Sequence, residues 1–487
     1  MVEIELKFQV PAPARERVHH AVATAAARTQ RVRTIYLDTP DGRLAAAGMA
    51  VRLRRDGRRW LQTVKGQGEG LLQRLEHEVP VPAPARGVTP AVDLARHAGT
   101  PAHGRLAAVL GDAPVLGPVF ETDMRRTRRI VRMGATRIEL ALDEGRILAA
   151  GRSLPLCELE LEWLSGPLDG LYRLGERWAT RHGLWLDVRS KAERGACLAR
   201  GEDAAPPVMA RRPLLSPEGG PDAALRAMVG AGLAHLLPNL SAVAAGTGRP
   251  EHLHQVRVAL RRLRTALQVF EGWSADVDAG WTPALADLFD ALGAARDLDA
   301  LSASLLPALR AAGAPFSDLV PPAAAPAEPG QALRAVAAQR LLLALLAFAG
   351  HTPALASGPL VDRARPLLRR LHRQVVRDGE AFATLDDEAR HRTRRRVKRL
   401  RYSVEFVAAL WPAKDVRRYL ARVAPAQDAL GRFNDLCVAQ QAFAAAVERD
   451  PRAWFAVGWL QAQRAEPIAA AARALRRLGR GQPFWKR

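Results

Sequence analysis

The chain opens on Val2-Glu3-Ile4-Glu5-Leu6-Lys7, which alternates apolar and ionised side chains. A strand turns residues i, i+2 and i+4 to one face, so two carboxylates and an ammonium project together. Paired acids at this spacing can share a divalent cation through hard oxygen ligands, and a lysine one step along can hold phosphate as a point charge. The set suits metal-assisted phosphate chemistry. One strand of this kind could equally be amphipathic with its charges in water; repetition decides between the two.

Arg52 and Arg54 alternate in Val51-Arg52-Leu53-Arg54, and Arg74, Glu76 and Glu78 alternate through Val79. Arg137, Glu139 and Asp143 recur in the next such segment, and Glu158, Glu160 and Glu162 stand opposite Leu159, Leu161 and Trp163. Charges kept only on an outer face could be scattered freely, whereas both signs recur here in clusters on strand after strand. A closed antiparallel barrel with a polar lumen accounts for the pattern. Its apolar faces then pack outward against helices, predicted over Pro13 to Arg28 and Leu168 to His182.

These residues resemble the CYTH domains, the triphosphate tunnel metalloenzymes. Glu3-Ile4-Glu5-Leu6-Lys7 matches the ExExK signature of that family, and further matches follow in order. They are Tyr36-Leu37-Asp38-Thr39, Arg52-Leu53-Arg54, Thr63-Val64-Lys65-Gly66, the Arg74/Glu76/Glu78 strand, Glu139 with Asp143 and Gly145, the Glu158/Glu160/Glu162 strand, and Ser190-Lys191-Ala192-Glu193-Arg194-Gly195. The resemblance implies an eight-stranded tunnel that cleaves a terminal phosphoanhydride of a linear triphosphate with Mg²⁺ or Mn²⁺. It further implies Glu3, Glu5, Glu158 and Glu160 as metal carboxylates and Lys7, Arg52, Arg54, Lys65, Arg126 and Lys191 as phosphate contacts, with Arg74 and Arg137 beside them. Glu76 or Glu78 would orient the attacking water. Glu162 continues the acid face, leaving the metal pair as either the first two or the last two acids of that strand. Along Arg125-Arg126-Thr127-Arg128-Arg129, a slip of one residue changes which arginine looks inward.

The second half carries an internal repeat. His254-Gln255-Val256-Arg257-Val258-Ala259-Leu260-Arg261-Arg262-Leu263-Arg264 recurs as His391-Arg392-Thr393-Arg394-Arg395-Arg396-Val397-Lys398-Arg399-Leu400-Arg401. Each copy is followed at nearly equal distance by a second match, Leu292-Gly293-Ala294-Ala295-Arg296-Asp297 and Leu430-Gly431-Arg432-Phe433-Asn434-Asp435. Paired motifs at matched spacing mean two copies of one structural unit. At about 100° per residue, His254, Arg257, Arg261 and Arg264 share a stripe, as do His391, Arg394, Lys398 and Arg401, while leucines and valines gather on another face. Like charges one turn apart repel, so a stripe kept twice points to an anionic ligand. The motifs resemble the CHAD domain, the conserved histidine α-helical domain. That resemblance implies two pseudo-symmetric helical bundles around a basic pore that binds inorganic polyphosphate, with those eight residues as lining.

The fold expected is therefore α+β and multidomain: an antiparallel β tunnel with flanking helices over residues 1–200, a Pro- and Gly-rich linker over 201–222, and an all-α domain over 223–487 with halves of about 223–310 and 331–487. The Pro- and Ala-rich stretch from Ala311 to Gly330 separates the halves. A net charge of +22 draws polyanions. Nucleic acid is disfavoured, because aromatic residues make up 5% of the chain and none interleave with the basic stripes as base-stacking platforms. Cys157, Cys197 and Cys437 are scattered without metal-ligand spacing, which suggests reduced thiols and a cytoplasmic protein, associated with polyphosphate granules if the second resemblance holds. No membrane partner is expected, since the apolar run Leu341 to Gly350 is too short to span a bilayer. The function expected is inorganic triphosphate hydrolysis coupled to polyphosphate binding. Polyphosphate binding without turnover, and action on a nucleoside or thiamine triphosphate, are the alternatives.

Overall fold

The computed structural model describes residues 2–57, 59–68, 72–85, 88–111, 115–293, 305–316, 328–353 and 359–486. The chain forms two compact units that do not divide at one point. The first comprises Met1–Val208, Leu236–Gln255 and Leu333–Ala347, and the second Met209–His235, Val256–Ala332 and Phe348–Arg487.

In the first unit, strands β1 (Val2–Gln9), β2 (Arg28–Asp38), β3 (Ala50–Asp56), β4 (Arg59–Gln67), β5 (Gln73–Val81), β6 (Gly117–Met133), β7 (Thr136–Ala149) and β8 (Arg152–Ser165) pair antiparallel in the order β5-β4-β3-β2-β6-β7-β8-β1. β1 also pairs with β5 through Val2 to Ile4, and this closes the sheet into a barrel. A two-residue strand, β9 (Trp185–Leu186), lies along β1 at Phe8 and Gln9. The period of two read from the sequence is the period of the barrel wall. Leu6, Phe8, Leu140, Leu159 and Leu161 turn outward and are fully buried, each contributing about 1.5–3 kcal/mol. The helix Asp169–His182 packs against these strands. A Cβ on its Gly175 would stand 3.0 Å from Leu6 and 3.2 Å from Phe8. The other predicted outer helix is shorter than expected: it runs Arg15–Val22, because the alternating sequence from Arg28 is already strand β2.

The lumen is not polar throughout. At one end Tyr36 and Phe120 stack with ring centroids 4.4 Å apart. Ile147 and Ala149 join them, and Ala192, Leu198 and Ala199 of the helix Lys191–Arg200 cover the group. Ser190 caps that helix, its Oγ accepting from the Glu193 amide at 3.0 Å, as a Ser-x-x-Glu sequence favours. Gly195 is required at the crossing, since a Cβ there would lie 2.2 Å from the Phe120 ring. Charge also occurs outside the barrel. Arg31–Asp123, Arg33–Glu121 and Arg125–Glu144 pair at 2.6, 2.6 and 2.8 Å with their arginines exposed, and such pairs contribute about 0–1 kcal/mol each.

The second unit is helical. The repeat appears as reciprocal contacts between the helices Pro250–Val269 and Asp387–Phe406: Arg262 ion-pairs with Glu405, and its counterpart Arg399 donates to Gln268 at 3.4 Å. Leu260, Leu263, Leu267 and Phe270 are buried, as are their counterparts Val397, Leu400, Val404 and Val407. Of the paired second motifs, Ala294 to Asp297 lie outside the described residues, as do 317–327 of the Pro- and Ala-rich stretch. Among the described residues one helix, Pro221–Ala244, is long and apolar enough to cross a membrane, and 67% of its apolar window is buried within the fold.

Candidate functional site

The ladders fix which charges meet inside the barrel. Asp143 is the cross-strand partner of both Arg126 and Glu158, and Glu160 faces Lys7. Arg126 grips Asp143 through two bonds, of 2.7 and 2.6 Å, and donates to Glu160 at 2.8 Å. Lys191 enters from the first turn of the closing helix and sets its ammonium 2.8 Å from Asp143 and 2.7 Å from Glu160, with Glu158 also in contact. Arg194, one turn on, pairs with Glu158. Burial works against the Lys191 charge, but Asp143, Glu158 and Glu160 outweigh it and raise its pKa well above the ordinary value. Glu160 moves oppositely: burial would raise it, yet Lys191 and Arg126 hold it well below the carboxylate range. The register of β6 is thereby settled, with Arg126 inward and Arg125 paired outside with Glu144.

A second cluster lines β3, β4, β5 and β1. Lys65 sits 3.0 Å from Glu3 and 2.5 Å from Glu76. Arg52 reaches Glu76 at 3.3 Å, and Arg54 reaches Glu78 at 2.9 Å. Glu3 and Glu76 share a hydrogen bond; burial pushes Glu3 up, while Lys65, the bond to Glu3 and Arg52 overcome burial to hold Glu76 down. Next to this group Glu5, Glu162 and Glu139 stand abreast on three strands, and Glu162 is pushed up by burial first and then by Glu139. Arg74 approaches Glu5 at 3.9 Å.

The inferred residues therefore separate. Glu158 and Glu160 gather with Lys191 and Arg126, whereas Glu3 and Glu5 lie with Lys65, Glu76 and Arg74. Lys7 is buried, and its ammonium donates to the Arg189 carbonyl; burial lowers its pKa although Glu158 opposes this. Arg137 is exposed near the β6–β7 turn and does not join the others. Asp143 and Arg194 were within quoted motifs but carried no assigned role, and Asp187, which binds Arg189 and Gln9, had no sequence signal.

The site suits a divalent cation on the chemistry of its donors. Asp143, Glu158 and Glu160 each offer a carboxylate oxygen, all within 4.8 Å of one another, and hard oxygen donors are what Mg²⁺ and Mn²⁺ take. The Lys191 ammonium among them shows that the nest accepts positive charge.

In the helical unit, Arg257, Arg261, Arg394 and Lys398 converge, with Asp435 of the second repeat motif beside them. Arg257 and Arg261 stand over the Phe289 ring at 4.8 and 5.1 Å, and Arg257 donates to the Gly293 carbonyl at 2.9 Å. Lys398 is pulled down to about 7, by burial first and then by Arg261 and Arg394. His391, lowered by burial, lies beside Phe433 with ring centroids 5.9 Å apart. His254 precedes Arg257 by one turn on the same helix. The stripe diverges at its far end: Arg401 pairs with Glu405 and Gln427 at 2.9 and 2.7 Å, while Arg264 joins Arg395, Arg396 and Arg370 around Arg399.

Residues 1–196 match the CYTH domain family, and residues 227–444 match the CHAD domain family. Over 173 residues, 34% of this chain, the sequence is 30% identical to an inorganic triphosphatase of Haemophilus influenzae, and the chain spans 44% of that relative's length. The CHAD domain from the plant Ricinus communis is 32% identical with a TM-score of 0.47, covering 55% of this chain and 96% of that structure. A Hippeastrum adenylyl cyclase homologue with a dominant triphosphatase activity is 18% identical with a TM-score of 0.29, over 40% of this chain and 94% of that one.

Proposed function

From a chain that carries a CYTH domain followed by a CHAD domain, we propose a divalent-metal-dependent inorganic triphosphatase that hydrolyses a phosphoanhydride of tripolyphosphate in its barrel and binds long-chain inorganic polyphosphate through its helical domain. On this reading residues 1–200 are the catalytic domain, 201–222 the linker and 223–487 the polyphosphate-binding domain.

The observation that carries the hydrolase reading is a lumen already neutralised by its own pairs. Lys65, Arg52, Arg54, Arg126, Lys191 and Arg194 each lie against carboxylates. A complex of a divalent cation with a triphosphate exchanges partners with such a lumen at little cost in net charge: acids take the cation and bases take phosphate oxygens. Asp143, Glu158 and Glu160, with Glu3 and Glu5, would hold Mg²⁺ or Mn²⁺, which when bound withdraws charge from phosphate oxygens and polarises water. Lys7, Arg52, Arg54, Lys65, Arg74, Arg126 and Lys191 bind and align the phosphate chain, and positioning with charge neutralisation supplies most of the rate in phosphoryl transfer. Glu76, kept ionised beside Lys65, or Glu78 accepts a proton from the attacking water.

The test is phosphate release from tripolyphosphate with Mg²⁺ or Mn²⁺. Glu3→Gln and Glu5→Gln should each lower the rate about 100-fold or more, and rates equal to the unaltered chain would remove the catalytic assignment.

A further inference from the structure

The segment that follows β9 has two sides, and both are occupied. Towards β1, the Asp187 amide donates to the Lys7 carbonyl at 3.0 Å, the Lys7 ammonium donates to the Arg189 carbonyl, and Gln9 donates to Asp187 at 3.0 Å. On the other side the partners are side chains from far along the sequence. The Leu186 amide donates to Gln339 Oε1 at 2.8 Å, the Val188 amide to Ser241 Oγ at 3.1 Å, and Arg189 Nη1 to Thr247 Oγ1 at 3.0 Å. The two helical segments that supply these acceptors belong to the first compact unit and are tied to each other by Arg334, which donates to the Ala244 carbonyl at 2.6 Å.

Asp187, Ser241 and Gln339 are fully buried, where a backbone amide left without an acceptor is costly and the chain shifts to avoid it. Gln339 is itself held, donating to the Leu333 carbonyl at 2.7 Å. Asp187 grips the Arg189 guanidinium through both oxygens, at 3.0 and 2.8 Å, which fixes the direction of the backbone into Ser190 and hence the first turn of the closing helix. Lys7 and Lys191 are thus placed by one short segment, and that segment takes its outer partners from residues matching the CHAD domain family.

We propose that Ser241, Thr247 and Gln339 are positioning residues of the barrel site, setting where Lys7 and Lys191 sit by fixing residues 186–190 from the outer side. Helices thereby do for this edge what a neighbouring strand does elsewhere in the barrel. The inference rests on Lys7 and Lys191 acting as phosphate ligands, as argued above.

The full chain is compared with Thr247→Val, which keeps shape and removes the acceptor; Thr247→Ser, which restores it; and the double variant Ser241→Ala/Thr247→Val. With tripolyphosphate and Mg²⁺, kcat/KM should fall about threefold to tenfold in Thr247→Val and further in the double variant, and Thr247→Ser should stay within twofold of the unaltered chain. Lysine-selective isotope labelling supplies a readout independent of turnover. The side-chain NMR signals of Lys7 and Lys191 should move in both acceptor-deleted variants, while those of Lys414 and Lys486 stay in place as a sign of intact folding. Unmoved Lys7 and Lys191 signals in Thr247→Val overturn the inference, as does a kcat/KM loss that Thr247→Ser fails to restore. If the unaltered chain releases no phosphate, the triphosphatase reading fails, and the lysine signals alone decide whether the outer side chains position the site.

Discussion

The Lys191 ammonium answers three carboxylates at once, those of Asp143, Glu158 and Glu160. Glu158 in turn is fully buried against two cations, Lys191 and Arg194. Truncating one partner of a buried ion pair leaves the other uncompensated, at about 3–5 kcal/mol. Glu158→Ala should therefore lower stability by about that amount, measured as a reduced urea midpoint at an unchanged slope. Glu158→Gln keeps the shape and should cost less stability while still abolishing most phosphate release. A Glu158→Ala protein as stable as the unaltered chain would show that Lys191 and Arg194 find water or other acceptors. At this scale part was legible in the sequence: the family resemblance pointed to Glu158, Glu160, Arg126 and Lys191 but left open Glu158/Glu160 against Glu160/Glu162 and the inward arginine of β6, and the ladders bring these four together. Asp143 was harder to weigh, because alternation along one strand gives the face of a residue, whereas its partners depend on the register of two neighbouring strands. Arg137 shows the converse failure, since it has the right parity for the lumen but is exposed at the start of β7, where the ladder with β8 shifts register between Arg137 and Ile138.

The helix Lys191–Arg200 covers the apolar end of the lumen, packing Ala192, Leu198 and Ala199 on Tyr36, Phe120, Ile147 and Ala149. Its approach depends on the missing side chain at Gly195, where a Cβ would fall 2.2 Å from Phe120. Overpacking of this kind costs about 1–3 kcal/mol, and displacement of the helix also withdraws Lys191. Gly195→Ala should lower both the thermal midpoint and kcat, and adding Phe120→Leu should recover part of each; a rise in stability without loss of activity would show the helix free to move. A second element-level device lies under strand β5. His97 is fully buried, its ring nitrogens 2.9 Å from Gln62 and 2.8 Å from His77. Burial, then His77 and His103, depress its pKa to about 4. The folded state thus binds fewer protons than the unfolded chain between about 4 and the ordinary 6.5. The stability from this neutral His97 is complete above 6.5 and is lost as the pH falls towards 4. Urea midpoints taken from pH 7 to pH 5 should fall less steeply in His97→Gln than in the unaltered chain, and equal slopes would place the acid sensitivity elsewhere. The barrel strands were legible because period two is strong in β1, β3, β7 and β8. The two residues of β9 are too few to show a period, and the apolar end of the lumen reads in sequence like any outer face, so the closing helix was recognised by its motif without its covering role.

Across the whole molecule the net charge of +22 is distributed in two different ways, and the difference gives a test. In the barrel the bases meet acids, so the resting lumen is close to self-neutral. In the helical unit Arg257, Arg261 and Arg394 surround Lys398, and Asp435 opposes them. Positive charge packed this way is paid for by the lysine, whose pKa falls to about 7 because burial and the neighbouring guanidiniums make its charged form unfavourable. A bound polyanion reverses the balance, since negative charge beside Lys398 raises its pKa and draws a proton on to it. Under the proposed function, polyphosphate binding at this cluster would take up a proton, and affinity for long-chain polyphosphate should rise as the pH falls from about 9 towards 7 and then level off below 7, where Lys398 is charged before the ligand arrives. Lys398→Arg supplies a group that stays charged throughout this range, so it should flatten the profile and bind more tightly than the unaltered chain at pH 9. Both proteins should weaken with added salt, because the attraction is screened over about 10 Å at 0.1 M. Titrations of polyphosphate into the full chain at three pH values, in two buffers of different ionisation enthalpy, measure affinity and proton uptake together. A pH-independent affinity with no proton taken up would show that the anion does not reach Lys398, and that the converging cations are held together by the packing of their helices alone.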